Sequence, residues 1–168
     1  MKTLGNQNIS REELRDFLDV KYHQYNPPSF IPPDPISIPH RFSKKEDIEI
    51  SGFLTAIISW GQRCTILRNA GDLLDKMDND PFEFILHAEY SDLIRFSRFT
   101  HRTFNGQDCI YFIQSLQNIY KNYGGLEKLL MKGFEETSNI MDALVFLRSL
   151  FFNLPFETHT LKHFSMYQ

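Results

Sequence analysis

The chain has 168 residues, of which 14% are aromatic and 23% charged, and its formal net charge is −3. Such a length reads as one domain with a real core. The charge gives no global pull toward nucleic acid or an anionic membrane, so any such partner must meet a local patch. No apolar run reaches the ~18 residues of a membrane span. Met1 to Gln7 is polar and lacks the apolar segment of a secretory leader, so a cytoplasmic location is expected. In that compartment Cys64 and Cys109 read as reduced thiols.

In chain order, Ser10 with Glu13 forms a capping box, and Leu14, Phe17, Leu18 and Tyr22 share one face, which predicts a helix over Arg11 to Tyr22. Six of the eight prolines fall between Pro27 and Pro39. Proline removes donors and biases its predecessor away from the helix, so this stretch reads as an extended strap held down by Phe30, Ile31, Ile36 and Ile38.

Asp47 to Leu74 is the organising stretch, a helix–loop–helix. Phe53, Leu54, Ile57 and Ile58 make a stripe wide enough for a helix buried on most sides. The pattern breaks at Trp60-Gly61-Gln62-Arg63 and resumes with Ile66, Ala70, Leu73 and Leu74.

Asp80-Pro81 predicts a new helix with Asp80 as N-cap, and Ser91 predicts another. Asn105-Gly106 is a turn signal before a helix over Gln107 to Tyr120. Gly124-Gly125 separates it from a helix over Leu126 to Phe134, and Ser138 opens one carrying Met141, Leu144, Leu147 and Phe151. No stretch alternates as a strand would. The expected fold is all-α, a single helical domain with an N-terminal helix (1–24), the strap (25–45), a helical core (46–155) and an apolar tail (156–168). Phe156, Leu161, Phe164, Met166 and Tyr167 make that tail too apolar for solvent, so a packing partner or self-association is expected there.

Four groups of residues have side chains suited to chemistry. Gln62 and Arg63 sit in the interhelical loop, either as an ordinary helix end or as side chains presented to a ligand. Arg95, Arg98, His101 and Arg102 alternate with Phe96, Phe99 and Phe104, which reads either as a phosphate-binding footprint or as an aromatic seam with snorkelling cations. Asp34, His40 and Asp47 have ligand chemistry, as do His159 and His163 four residues apart, but turn and capping roles explain the first set. No phosphate-binding glycine loop, nucleophile elbow or Cys-x-x-Cys occurs. No catalytic residue, metal or cofactor is assigned.

The runs FIPPDPISIPHRF, KEDIEISGFLTAIISWGQRCTI, MDNDPFEFI, HRTFN and LFFNLP resemble an uncharacterised bacterial family of conserved hypothetical proteins carrying a domain of unknown function, over Lys21 to His163. That resemblance implies that family members continue further, so the chain reads as an N-terminal portion and not as a complete enzyme. FLTAIISWGQRCTILRNAGDLL is also similar to the opening helix–loop–helix of the helix-hairpin-helix DNA glycosylases. This second resemblance implies double-stranded DNA as partner, with Gln62 entering the stack and Arg63 on phosphate. The DNA-binding set expected is Gln62, Arg63, Arg98, His101 and Arg102. The glycosylases' Gly-rich hairpin and catalytic Asp have no counterpart here.

Overall fold

The computed structural model describes residues 9–155 and 158–165. Phe156, Met166 and Tyr167 of the apolar tail, and the polar stretch Met1 to Gln7, lie outside them. The fold is all-α. Its helices are α1 (Arg11–Tyr25), α2 (Lys45–Ile57), α3 (Arg63–Asp75), α4 (Pro81–His87), α5 (Tyr90–Leu93), α6 (Gly106–Tyr123), α7 (Leu126–Thr137) and α8 (Ile140–Phe151). Among the described residues no helix is long and apolar enough to cross a membrane.

The centre is α6, with ten buried residues. Its Phe112 meets Phe104 at 5.2 Å and Phe151 of α8 at 4.8 Å between ring centroids. Tyr111 extends the contact, its hydroxyl donating to the carbonyls of Phe151 and Leu154. The second cysteine of the chain, Cys109, is buried on α6, and burial pushes its thiol ionisation up, so it stays protonated and inert. The central helix expected from the sequence, α2, is buried on one side only. Ile50, Leu54 and Ile58 lie in the core, whereas Ile48 and Ala56 are exposed. Phe53 and Ile57 instead line an apolar groove of about 800 Å³ between α2, α7 and α8.

Local chemistry departs from the sequence reading at four points. The strap is not extended. It forms three 3₁₀ turns, Pro28–Phe30, Pro35–Ser37 and Pro39–Arg41, each with proline at its first position. Proline's fixed φ suits the first turn of a helix, and its missing N–H is not needed there. Asp80 stands before α4 without a side-chain cap. Asp47, reaching across from the first turn of α2, accepts from Phe82 N at 2.9 Å in its place. Glu89 and Asp92, not Ser91, form the box that starts α5, and Asn139, not Ser138, caps α8. Ser138 is the left-handed residue that ends α7.

Two strands were not anticipated. β1 (Thr100–His101) and β2 (Phe104–Asn105) pair antiparallel in a minimal hairpin. The tail also differs, since Phe164 packs on Phe53, Phe151 and Phe152 of its own chain. Arg148 Nε donates to its carbonyl at 2.6 Å.

Candidate functional site

The loop between α2 and α3 is shaped by its backbone. Ser59 Oγ donates back to the Thr55 carbonyl at 2.7 Å, closing the end of α2. Gly61 then takes φ +113°, a conformation side chains rarely adopt, and Gln62 turns the chain into α3. The Gln62 side chain makes no capping bond. It is exposed, as are Arg63 and Cys64 in the first turn.

The β1–β2 hairpin closes over this loop. Phe99 and Phe104 anchor it in the core, and its tip holds Arg102 at φ +56°, an uncommon state for a residue with a Cβ. That geometry lays the Arg102 guanidinium over the Trp60 ring, 4.6 Å from its centroid, a cation–π contact. The same side chain lies against Gly61, where a Cβ would meet Nη1 at 3.2 Å. Glycine is therefore needed at position 61 for its φ, and a Cβ there would in addition press the guanidinium aside by a few tenths of an ångström.

His101 sits beneath, 2% exposed. Its Nδ1 is 2.9 Å from the amide nitrogen of Asn69, and its Nε2 is 3.1 Å from the Trp60 carbonyl. An amide N–H can only donate, so Nδ1 accepts and Nε2–H donates to the carbonyl. The imidazole thus fastens hairpin, loop and α3 together.

The five residues read from the sequence as a DNA-binding set are distributed as follows. Gln62, Arg63 and Arg102 are all exposed; Arg102 lies on Trp60 and Gly61, and the Arg63 guanidinium is 5.9 Å from the Phe30 ring of the strap. Arg98 borders an adjoining polar cleft of about 640 Å³ shared with Asn69, Asp72, Lys76 and Thr100. There Lys76 is paired to Asp72 and Arg95 to Asp78, while Arg98 carries no ion pair among the described residues. His101 does not reach the surface and acts as a fastener. Sequence reasoning missed Trp60 as the platform for Arg102 and Asn69 as the partner of His101. The lone tryptophan beside a glycine at the end of an apolar helix was the available signal.

A second polar centre lies below the hairpin. Asp108 is fully buried in the first turn of α6. Its Oδ1 accepts from Thr160 Oγ1 at 2.8 Å and faces His159 Nε2 at 2.9 Å. Oδ2 accepts from Asn105 N at 3.0 Å and lies 3.2 Å from His163 Nε2. That last approach is outside hydrogen-bonding geometry, so the buried Nε2 faces the carboxylate without a hydrogen bond. Burial pushes the His163 ionisation down, and the Asp108 carboxylate only partly opposes this. His163 also borders a cleft of about 450 Å³ with Trp60, Thr103 and Lys162.

The residues weighed for metal chemistry are used otherwise. Asp34 Oδ1 accepts from Ile36 N, Asp47 accepts from Phe82 N, and His40 is exposed. His159 and His163 both turn to Asp108. Among the described residues no group of three or more His, Cys, Asp or Glu side chains is placed to hold a metal ion.

No curated protein and no solved structure matches the chain. A family model does, over residues 34–167, which takes in the second half of the strap, the loop, the hairpin and the Asp108 centre. The chain belongs to the family described as Protein of unknown function (DUF2400).

Proposed function

We propose that the loop–hairpin face binds double-stranded DNA, with Arg102, Arg63 and Arg98 on phosphates and the Gln62 amide toward the bases. This makes the chain a DNA-binding helical domain of glycosylase-like pattern, a binding face and not a reaction centre. The observation that carries the reading is the placement of Arg102. Two segments about forty residues apart meet where its guanidinium stacks on Trp60 and abuts Gly61. A guanidinium oriented in advance on an aromatic face loses less freedom on meeting a phosphate than a free one does. The net charge of −3 confines the attraction to this face, so affinity should fall steeply with salt.

The test is fluorescence anisotropy of a labelled duplex across a salt series. Arg102→Ala should weaken binding and lower the salt slope by about one charge, as expected for one lost phosphate contact. Gln62→Ala should weaken binding with the slope kept. No binding at low salt, or affinity unchanged in both variants, removes the proposal. Self-association through the C-terminal tail is the weaker reading, because Phe164 is already seated on Phe53 and Phe151.

A further inference from the structure

Among the described residues two apolar surfaces are left without a partner, and their charges are opposite. The first is α1. None of its residues is buried, and Leu14, Phe17, Leu18 and Tyr22 are each about half exposed or more. A lone helix of this length is marginal in water, and apolar side chains set along one face of it are a docking surface. Helical spacing puts Arg11 and Lys21 on that same stripe with Leu14, Leu18 and Tyr25, while Glu12, Asp16 and Asp19 fall on the far side. Lys21 Nζ lies 5.7 Å from the ring centroids of both Phe17 and Tyr25, so the cation is part of the apolar face.

The second surface is the groove between α2, α7 and α8. It is long, open and walled by Phe53, Leu130, Phe134 and Leu144. Met131, Phe134 and Ile140 are exposed at its edge. Its charged lining is acidic, Glu49 and Glu127, and the single Lys45 pairs with both. That leaves one negative charge in excess, on a rim otherwise apolar. His163 also lines the groove, and its ionisation is pushed down. The chain's own α1 contributes no residue to this lining.

We propose that α1 of one copy seats in the α2–α7–α8 groove of a second copy, reciprocally, to form a two-fold dimer. The apolar stripe of α1 covers Leu130, Phe134 and Leu144, and Lys21 and Arg11 approach the Glu49–Glu127 rim. Each copy offers one helix and one groove, so two seats close the assembly and leave neither surface free.

The experiment is sedimentation equilibrium on the full chain, alone and as variants. The wild type should be dimeric at tens of micromolar. Phe17→Asp on the helix and Phe134→Asp on the groove should each raise the dimer dissociation constant at least ~10-fold, since each places a carboxylate in an apolar seat. Both positions are exposed in the single copy, so both variants should keep the wild-type circular dichroism. Mixing the two variants gives a pair with one seat intact and both carboxylates confined to the other, so association should recover in part. A wild type that stays monomeric at ~100 μM overturns the proposal, as does a dimer that neither variant weakens. Failure of the two well-folded variants to associate when mixed overturns it as well.

Discussion

Two helices of this protein start with the same device in opposite surroundings. At α1, Ser10 Oγ accepts from Glu13 N and the Glu13 carboxylate accepts from Ser10 N, all in solvent. At α6, the Asn105 side chain accepts from Asp108 N and the Asp108 carboxylate accepts from Asn105 N. There the box is inside the protein, and Thr160, His159 and His163 close around its acid. A capping box in water replaces hydration and contributes little. The buried one cannot be given up to water, so the fold depends on it. The device is the same in both places, and its energetic weight comes from what lies over it.

The buried box is most sensitive at the residue after its cap. An added Cβ at Gly106 would lie 2.1 Å from the Ser97 carbonyl oxygen and 2.7 Å from that of Phe96. Backbone must move, and it is the backbone that seats the fully buried Phe96. Gly106→Ala should therefore cost ~3 kcal/mol or more, above the usual range for an overpacked side chain. Chemical denaturation measures it, and a midpoint unchanged from wild type would refute the account. Asp108→Ala comes next. It strands the Asn105 N–H, the Thr160 hydroxyl and the His163 imidazole in a buried space, and leaves the partly exposed His159 without its carboxylate. A loss of ~3 kcal/mol is expected, with the 3₁₀ turn Thr158–Phe164 losing protection in hydrogen exchange first.

Helix spans were legible because apolar spacing and local stop signals decide them. The break at Trp60-Gly61 and the Gly124-Gly125 stop fall between helices as the sequence indicates. What escaped depends on groups far apart in the chain. Asp47 reads as a first-turn acid of α2, and it is one, yet its Oδ1 serves α4 thirty-five residues on. His101 reads as part of a basic run, but Asn69 and the Trp60 carbonyl turn it inward. Nothing local marks Asp108 as a fully enclosed acid, because Thr160 lies 52 residues later. The apolar face of α1 reads as a core face, and the single copy leaves it bare.

The buried centre also responds to pH, with a smaller effect. Burial lowers the His163 ionisation in the folded state, with Lys162 and His159 adding to the shift and Asp108 opposing it. The unfolded chain takes its proton near the ordinary value of 6.5, before the folded one does. Stability from this group is therefore complete above about 6.5 and is lost as pH falls toward the lower folded value. His163→Gln should flatten that limb of the stability curve. An identical slope in both proteins would place the pH dependence elsewhere.

The smallest expected effect is at the exposed box. Ser-to-Ala at an N-cap costs ~1 kcal/mol where the helix is tied to the fold. Here α1 buries nothing in a single copy, so it frays on its own, and Ser10→Ala should leave the unfolding midpoint of dilute protein unmoved. Hydrogen exchange in α1 should nevertheless accelerate. Concentration then separates two situations. If α1 is seated in a second copy, the cap is linked to dimer formation, and the same substitution should lower the midpoint at high concentration while doing nothing at low concentration. A midpoint that is insensitive at both concentrations would mean that α1 stays in solvent, with the buried box alone carrying weight in the fold.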